Sequence, residues 1–160
     1  MHSLLKTLLV GTVLAVGGIA VASAASAKDP IIGTWQLNVA KSTFKPGPAP
    51  KSHTRTYMAT ADGIELTYET VAADGSATNG KSSFKDDGKD YPITGSKDFD
   101  TVSLKRIDAS TVESTQKKAG KVVGTTLRTV SKDGKVMTLK LTGKDTKGAA
   151  YDNVMVFDKQ

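Results

Sequence analysis

Apolar and polar residues alternate in short stretches along most of the chain after residue 30. Ile64, Leu66 and Tyr68 are separated by charged or hydroxyl side chains, and Met137 and Leu139 belong to a second stretch of the same kind. In this part of the chain no apolar repeat at helical spacing extends over ten residues. A period of two is typical of antiparallel strands that bury one face. The pattern therefore predicts an all-β domain.

Asp-Gly turns separate these stretches, at 62–63, 74–75, 87–88 and 133–134. Both residue types tolerate positive φ, which suits tight hairpins. The strands predicted around the turns are 31–38, 53–60, 64–72, 77–85, 91–94, 99–107, 111–118, 121–130, 135–142 and 149–158. Such strands predict an antiparallel up-and-down meander, and closure into a small barrel would remove its exposed edges. A two-sheet β-sandwich is the alternative.

The longest predicted connection is 39–52, which contains Pro46, Pro48 and Pro50. Because proline interrupts helices, at most one helical turn is expected, at 39–44. The segment is a candidate cover for the barrel mouth. A simple connection between the first two strands is the alternative interpretation.

Residues 1–27 differ from the rest of the chain. Lys6 precedes an apolar run at 8–21, and small residues follow, offering cleavage after Ala24 or Ala27. This order is that of a secretory signal peptide, and the run is shorter than the ~20 residues of a membrane span. We therefore expect export to the periplasm or the exterior, with a single mature domain over 28–160.

The amino-acid composition excludes several kinds of catalytic and metal-binding site. The 160 residues include 22 Lys+Arg, 16 Asp+Glu, no cysteine and two histidines, of which only His53 lies outside the predicted signal peptide. Disulfides, thiol nucleophiles, cysteine-ligated metals and multi-histidine metal centres are thereby excluded from the mature domain. No nucleophile elbow, phosphate-binding loop or metalloprotease motif occurs. We expect a non-catalytic binding protein that needs no metal or cofactor.

Charge placement bears on possible partners. The basic residues are mostly lysine and are scattered along the chain, whereas nucleic-acid binding usually concentrates them on one face. The predicted outward rows carry Glu65, Glu69, Lys105 and Lys140, which are unsuited to a lipid-facing barrel wall. We therefore expect no nucleic-acid partner and no membrane-embedded barrel. A monomer is expected.

The predicted first strand reads Ile-Ile-Gly-Thr-Trp-Gln-Leu-Asn at 31–38, and the chain ends in Asn-Val-Met-Val-Phe-Asp-Lys at 153–159. With the meander between them, these segments resemble the calycin superfamily of lipocalins and fatty-acid-binding proteins. The stretch 33–42 also resembles exported bacterial proteins with a lipocalin-like domain. The resemblance implies a barrel plugged at one end by Gly33 and Trp35. It also implies a small hydrophobic or amphipathic ligand in the interior.

The chain departs from the fatty-acid-binding members at two places. Their two helices do not fit in the proline-rich segment 39–52. Their Arg-x-Tyr grip on the ligand carboxylate is replaced by Met155 and Phe157 at the corresponding positions. The familiar fatty-acid geometry is therefore not implied for this chain.

Strand phases taken from Trp35, Leu66, Leu104 and Leu139 define an expected interior. The inward set is Leu37, Ile64, Tyr68, Val102, Arg106, Met137 and Leu141, with Tyr57 and Phe157 as further members. From these we select the candidate ligand-binding residues, namely Tyr57, Tyr68, Arg106, Met137 and Phe157. A register error of one residue would turn every assignment outward.

Arg106 shares a predicted face with Val102 and Leu104. An inward guanidinium could clamp a carboxylate or phosphate in a bidentate fork. The alternatives are that Arg106 extends to the rim or pairs with Asp108.

The sequence also predicts where the other polar residues of interest lie. His53, Arg55 and Tyr57 would form a polar patch near the proline-rich segment, although a lone histidine is expected at the surface. Arg128 is expected to be exposed, and 86–90 to be a solvated acidic turn.

The alternative function is that of an exported protein-interaction module, such as an inhibitor or envelope accessory protein, with a barrel interior filled by side chains. An interior cavity of a few hundred Å3 would favour ligand binding.

Overall fold

The computed structural model describes residues 29–160, so the predicted signal peptide at 1–27 lies outside the described residues. Ten antiparallel strands within that range form one sheet. They are β1 (Gly33–Leu37), β2 (Ser52–Thr60), β3 (Gly63–Val71), β4 (Ala77–Phe84), β5 (Asp87–Pro92), β6 (Thr101–Arg106), β7 (Thr111–Lys118), β8 (Lys121–Val130), β9 (Val136–Lys144) and β10 (Ala150–Lys159).

The strand order is β4-β3-β2-β1-β10-β9-β8-β7-β6-β5. Consecutive strands form antiparallel ladders everywhere except between β4 and β5, and pairing of β1 with β10 joins the two ends of the meander. Backbone pairing across the seam between β4 and β5 consists of an isolated bridge from Ser82 to Ile93, with a bond from Thr94 N–H to the Lys81 carbonyl at 3.0 Å. The predicted meander and nearly closed barrel are confirmed, and the sandwich alternative is wrong.

The predicted strand at 91–94 begins earlier, at Asp87. The Asp87-Gly88 pair, which was expected to form a turn, lies at the start of β5. Its register with β6 shifts between Asp87 and Asp90. An irregular strand start can accommodate turn-forming residues because a bulge leaves one residue unpaired.

A single 3-10 turn, Val39–Lys41, follows β1, in line with the one turn expected there. The chain then runs beside β10, where Thr43 and Val154 exchange backbone hydrogen bonds of 2.7 and 2.8 Å. The Asp152 N–H donates to the Lys45 carbonyl at 2.8 Å. No residue of 39–52 lines the interior cavity described below, so the segment is a connection along β10 and the expected cover is wrong.

The core is solid around Trp35, whose side chain is fully buried. Its indole Nε1 donates to the Ile31 carbonyl at 2.6 Å, and the Lys159 ammonium lies 5.0 Å from the centre of the tryptophan rings. Gly33 has a φ of +129°, and a Cβ there would lie 2.8 Å from Lys159 Cε. Glycine at 33 therefore allows Lys159 to cover the tryptophan.

The strand faces that were predicted to point inward from Leu66, Leu104 and Leu139 do so in the structure, since all three leucines are buried. Among the described residues, no helix is long and apolar enough to cross a membrane.

Candidate functional site

An interior cavity of about 460 Å3 lies between the two halves of the sheet. Its apolar wall includes Leu66, Phe84, Val102, Leu104, Val112 and Leu139. Its polar wall includes His53, Thr70, Ser82, Ser114, Gln116 and Thr126. The cavity is therefore amphipathic, as ligand sites with a few convergent polar groups commonly are.

Two arginines and a tyrosine meet on the wall of this cavity, and we call them the Arg55–Tyr57–Arg128 cluster. Arg55 and Tyr57 are alternate residues of β2, so both point to the same face, and Arg55 Nε donates to the Tyr57 hydroxyl at 2.8 Å. Arg128 approaches from β8, with its guanidinium carbon 5.6 Å from the Tyr57 ring centre. The Arg55 guanidinium carbon is also 5.6 Å from that ring. The tyrosine thus has a cation near its ring from each of two strands.

Neither guanidinium in the cluster forms an ion pair with a carboxylate among the described residues. Arg128 is 7% exposed, and within residues 29–160 its side chain makes no hydrogen bond or ion pair. Burial lowers the pKa of the Arg128 guanidinium, with Tyr57, Asp86 and Asp29 acting in the opposite direction. Arginine nevertheless keeps its proton in proteins. The wall therefore presents two positive charges that could accept an anion.

The inward position of Arg128 corrects the expectation that it is exposed. Along β8 the buried residues are Gly124, Thr126, Arg128 and Val130, and Leu127 is 37% exposed on the outer face. The sequence interpretation placed the leucine inside and the arginine outside. Thr126 and Val130 lie on the same face as Arg128, and their alternation with their neighbours could have indicated that this face is buried. That signal is weaker than the general preference of leucine for burial, which favoured the other face.

His53 is also buried, at 8% exposed, which contradicts its expected surface position. Its Nδ1 lies 3.2 Å from the Thr70 hydroxyl, and its ring stacks on Tyr68 and meets the edge of Phe157. Burial, together with the nearby Arg55 charge, lowers the pKa of His53 to about 3. The imidazole is therefore neutral at physiological pH.

Arg106 lies outside the cavity lining. Its Nη2 donates to Asp29 and to Asp86, and its Nη1 donates to the Ala109 carbonyl at 3.4 Å. Pairing with Asp108 was the wrong alternative, because that carboxylate accepts from Ser110 instead. This guanidinium is already neutralised inside the protein.

The same ion pairs correct the reading of 86–90 as a solvated turn. The Asp86 side chain is only 10% exposed, and its Oδ1 is buried without a hydrogen-bond partner in the described chain. Asp87 and Asp90 are solvated as expected and bond Tyr91 and Lys117, respectively. Asp86, which precedes β5, is directed inward because it pairs with Arg106 on β6.

The remaining candidate residues separate into two groups. Tyr57 and Tyr68 line the cavity, whereas Met137 and Phe157 are fully buried and lie outside its lining. The Tyr68 hydroxyl donates to the Thr94 carbonyl at 2.7 Å across the seam between β4 and β5. Burial raises the pKa of Tyr68. The structure thus brings the two tyrosines together with Arg55 and separates them from Arg106.

Gln116 was not selected from the sequence, although it lies on the polar wall. Its Nε2 donates to Thr126 Oγ1 at 2.7 Å and approaches Ser114 Oγ at 3.4 Å. Its Oε1 is buried and has no hydrogen-bond partner among the described residues. Because β7 is polar on both faces around Gln116, the sequence does not indicate that this glutamine points inward.

An open groove of about 490 Å3 on the outer face of β2, β3 and β4 is a second concavity. Threonines dominate its walls, with Glu69 and Lys81 as its charged members. Both charged residues are exposed to solvent. Within residues 29–160, no group of three or more histidine and carboxylate side chains could hold a metal ion. The chemistry of the barrel is therefore concentrated at the interior cavity.

The fold and site define a nearly closed ten-stranded antiparallel barrel with an amphipathic, positively charged cavity. No family model matches the chain, and no curated protein matches it. Among solved structures, a similar chain is the zebrafish ileal bile acid-binding protein in complex with cholic acid. It is 12% identical, with a TM-score of 0.47 over 82% of this chain and 99% of that one. A likeness at this level carries no conclusion about what the present chain binds.

Proposed function

We propose that this protein binds a small amphipathic anion in its interior cavity and does not catalyse a reaction on it. The observation that carries the proposal is the pair of guanidiniums of Arg55 and Arg128, which face the cavity without a carboxylate partner. The apolar wall would receive the hydrocarbon part of such a ligand. A lipid-like carboxylate is the simplest molecule of this class.

Electrostatics favours an anion over a neutral molecule. A buried cation without a counterion is unfavourable, and an anionic group brought between two guanidiniums relieves that penalty. Arginine can hold a carboxylate or phosphate through two parallel hydrogen bonds. Because Arg128 is only 7% exposed, its charge interactions are stronger than those of a guanidinium at the surface.

The open interior also bears on the alternative, an interaction module whose barrel is filled with side chains. A cavity of about 460 Å3 falls within the usual size range of small-molecule sites. We therefore retain ligand binding as the proposal. The seam between β4 and β5 and the hairpin tips remain available to a protein partner.

Export is part of the same proposal. The basic, apolar and small-residue order of 1–27 supports a signal peptide, followed by a monomeric binding domain in the periplasm or outside the cell. N-terminal sequencing of protein recovered from the extracytoplasmic fraction would test this. A mature start at Ala25 or Lys28 is expected, and an unprocessed Met1 would contradict export by cleavage.

Calorimetric titration of delipidated protein with dodecanoate and with dodecanol tests the ligand class. The two probes share a hydrocarbon chain, and only the first carries a negative charge. We expect dodecanoate to bind at least tenfold more tightly, and Arg128→Met to remove most of that preference, since a charge-assisted hydrogen bond contributes about 1.5–3 kcal/mol. Lys105→Met is the matched control, because it removes one positive charge from the exposed outer face.

Equal affinity for the two probes would show that the head group is not recognised as an anion. Absence of binding for both would contradict the interior as a site for lipid-like molecules.

A further inference from the structure

Two buried polar atoms on the cavity wall have no hydrogen-bond partner among the described residues, namely Gln116 Oε1 and His53 Nε2. Their side chains are 6% and 8% exposed, and both residues line the cavity. A buried polar atom left unpaired costs about 1–3 kcal/mol, and most such atoms in folded proteins are paired. Their position on the cavity wall suggests that a ligand supplies the missing bonds.

The bonds already made fix the orientation of both side chains. The Gln116 amide is held through Nε2 by Thr126 Oγ1 at 2.7 Å, which leaves its other end free. The His53 ring is held through Nδ1 by the Thr70 hydroxyl at 3.2 Å, which leaves Nε2 free. Each side chain is therefore anchored at one end and unsatisfied at the other.

The backbone of Gln116 lies well along the barrel from that of Arg128. Val112 is the Cα partner of Arg128, and Gln116 is four residues further along β7, about 13 Å at 3.3 Å per residue. At that end the cavity is also lined by Gly95 and Ser96 of the loop between β5 and β6. A ligand whose anionic group lies on the arginines would therefore place a more distant part of its body beside Gln116.

A hydroxyl is the group that suits both free atoms. It donates to a carboxamide oxygen, and because it both donates and accepts it also meets an imidazole nitrogen in either tautomer. The neighbouring wall carries hydroxyls of its own, on Ser114 and Thr126. A purely aliphatic chain would instead leave the carboxamide oxygen and the imidazole nitrogen unpaired.

We propose that the ligand is a hydroxylated amphipathic anion, whose charged group lies on Arg55 and Arg128 and whose hydroxyl bonds the free end of Gln116. This inference rests on the proposed function and adds the second polar group of the ligand.

Calorimetric titration with dodecanoate and omega-hydroxydodecanoate, which carries a hydroxyl on its terminal carbon, tests the inference. Wild-type protein is expected to bind the hydroxylated probe more tightly. Gln116→Leu should shift the ratio of the two dissociation constants by about tenfold towards dodecanoate, the equivalent of one buried hydrogen bond. Thr125→Val is the matched control, because Thr125 precedes Thr126 on β8 and points outward to Thr142.

The outcomes separate the two proposals. Binding of dodecanoate with no preference for the hydroxylated probe, or the same ratio in wild type and Gln116→Leu, would overturn the hydroxyl inference and leave the anion site standing. Binding of neither probe would overturn the proposed function itself. Gln116→Met provides a second variant should the leucine variant fail to fold, and thermal unfolding without ligand reports on folding in each case.

Discussion

Replacing Arg128 by methionine is expected to stabilise the empty barrel while weakening its binding of anions. Arg128 is 7% exposed and makes no ion pair within the described chain, so the more distant charges of Asp86 and Asp29 compensate its burial only in part. Replacing a buried ion pair by apolar groups of similar volume often stabilises a protein by about 1–4 kcal/mol, and we expect removal of the buried Arg128 guanidinium to act in the same direction. The lost contact with the Tyr57 ring offsets about 0.5–2 kcal/mol of that gain.

A net stabilisation of about 1–2 kcal/mol is therefore expected, or a rise in Tm of about 3–8 °C for a domain of this size. Urea unfolding of delipidated protein, followed by the fluorescence of the single tryptophan, Trp35, would measure it. Trp35 is fully buried, so unfolding changes its surroundings completely.

Arg106→Met is the informative control, because its expected sign is opposite. Arg106 is paired with Asp29 and Asp86, whose side chains are each 10% exposed, and its removal leaves both carboxylates without their cation. Breaking a buried pair costs about 3–5 kcal/mol, and the 33% exposure of the arginine side chain reduces the expected loss to about 2 kcal/mol. If both variants were destabilised alike, or if Arg128→Met lost more than about 1 kcal/mol, the view of Arg128 as a buried charge without an ion-pair partner would be refuted.

Three further outcomes are expected. Gly33→Ala should destabilise the protein by about 1–3 kcal/mol in urea, because φ is +129° and the new Cβ would meet Lys159 Cε at 2.8 Å; unchanged stability would show that Lys159 is free to move. Trp35→Phe should destabilise it by about 2–3 kcal/mol, measured by circular dichroism, because it loses the bond to the Ile31 carbonyl and leaves a void. His53 has a pKa of about 3 when folded against 6.5 as reference, so the unfolded chain binds more protons between these values and stability falls with falling pH. His53→Phe should lose less stability than wild type from pH 7 to pH 4, and parallel losses in urea would contradict the buried neutral imidazole.

The alternation of residues along the chain determined most of the fold. Period-two stretches such as the one through Leu66 and the one through Leu139 form strands wherever they can bury one face, and three of the four Asp-Gly pairs lie at turns between strands. These are local properties, so the meander and its near closure could be predicted from them. The inward phase of β3, β6 and β9 was predictable for the same reason, because leucine marks the buried face.

The arrangement of charges was decided only by the tertiary structure. Arg106 is neutralised by Asp29 and Asp86, which lie 77 and 20 residues away in the chain, and no local pattern encodes such distant partners. On β8 the local preference of Leu127 for burial was overridden by the register with β7 and β9, which turned Arg128 inward. A one-residue change of phase exchanges the two faces of a strand. The sequence therefore determined that a barrel forms, whereas long-range pairing decided which of its arginines face the cavity.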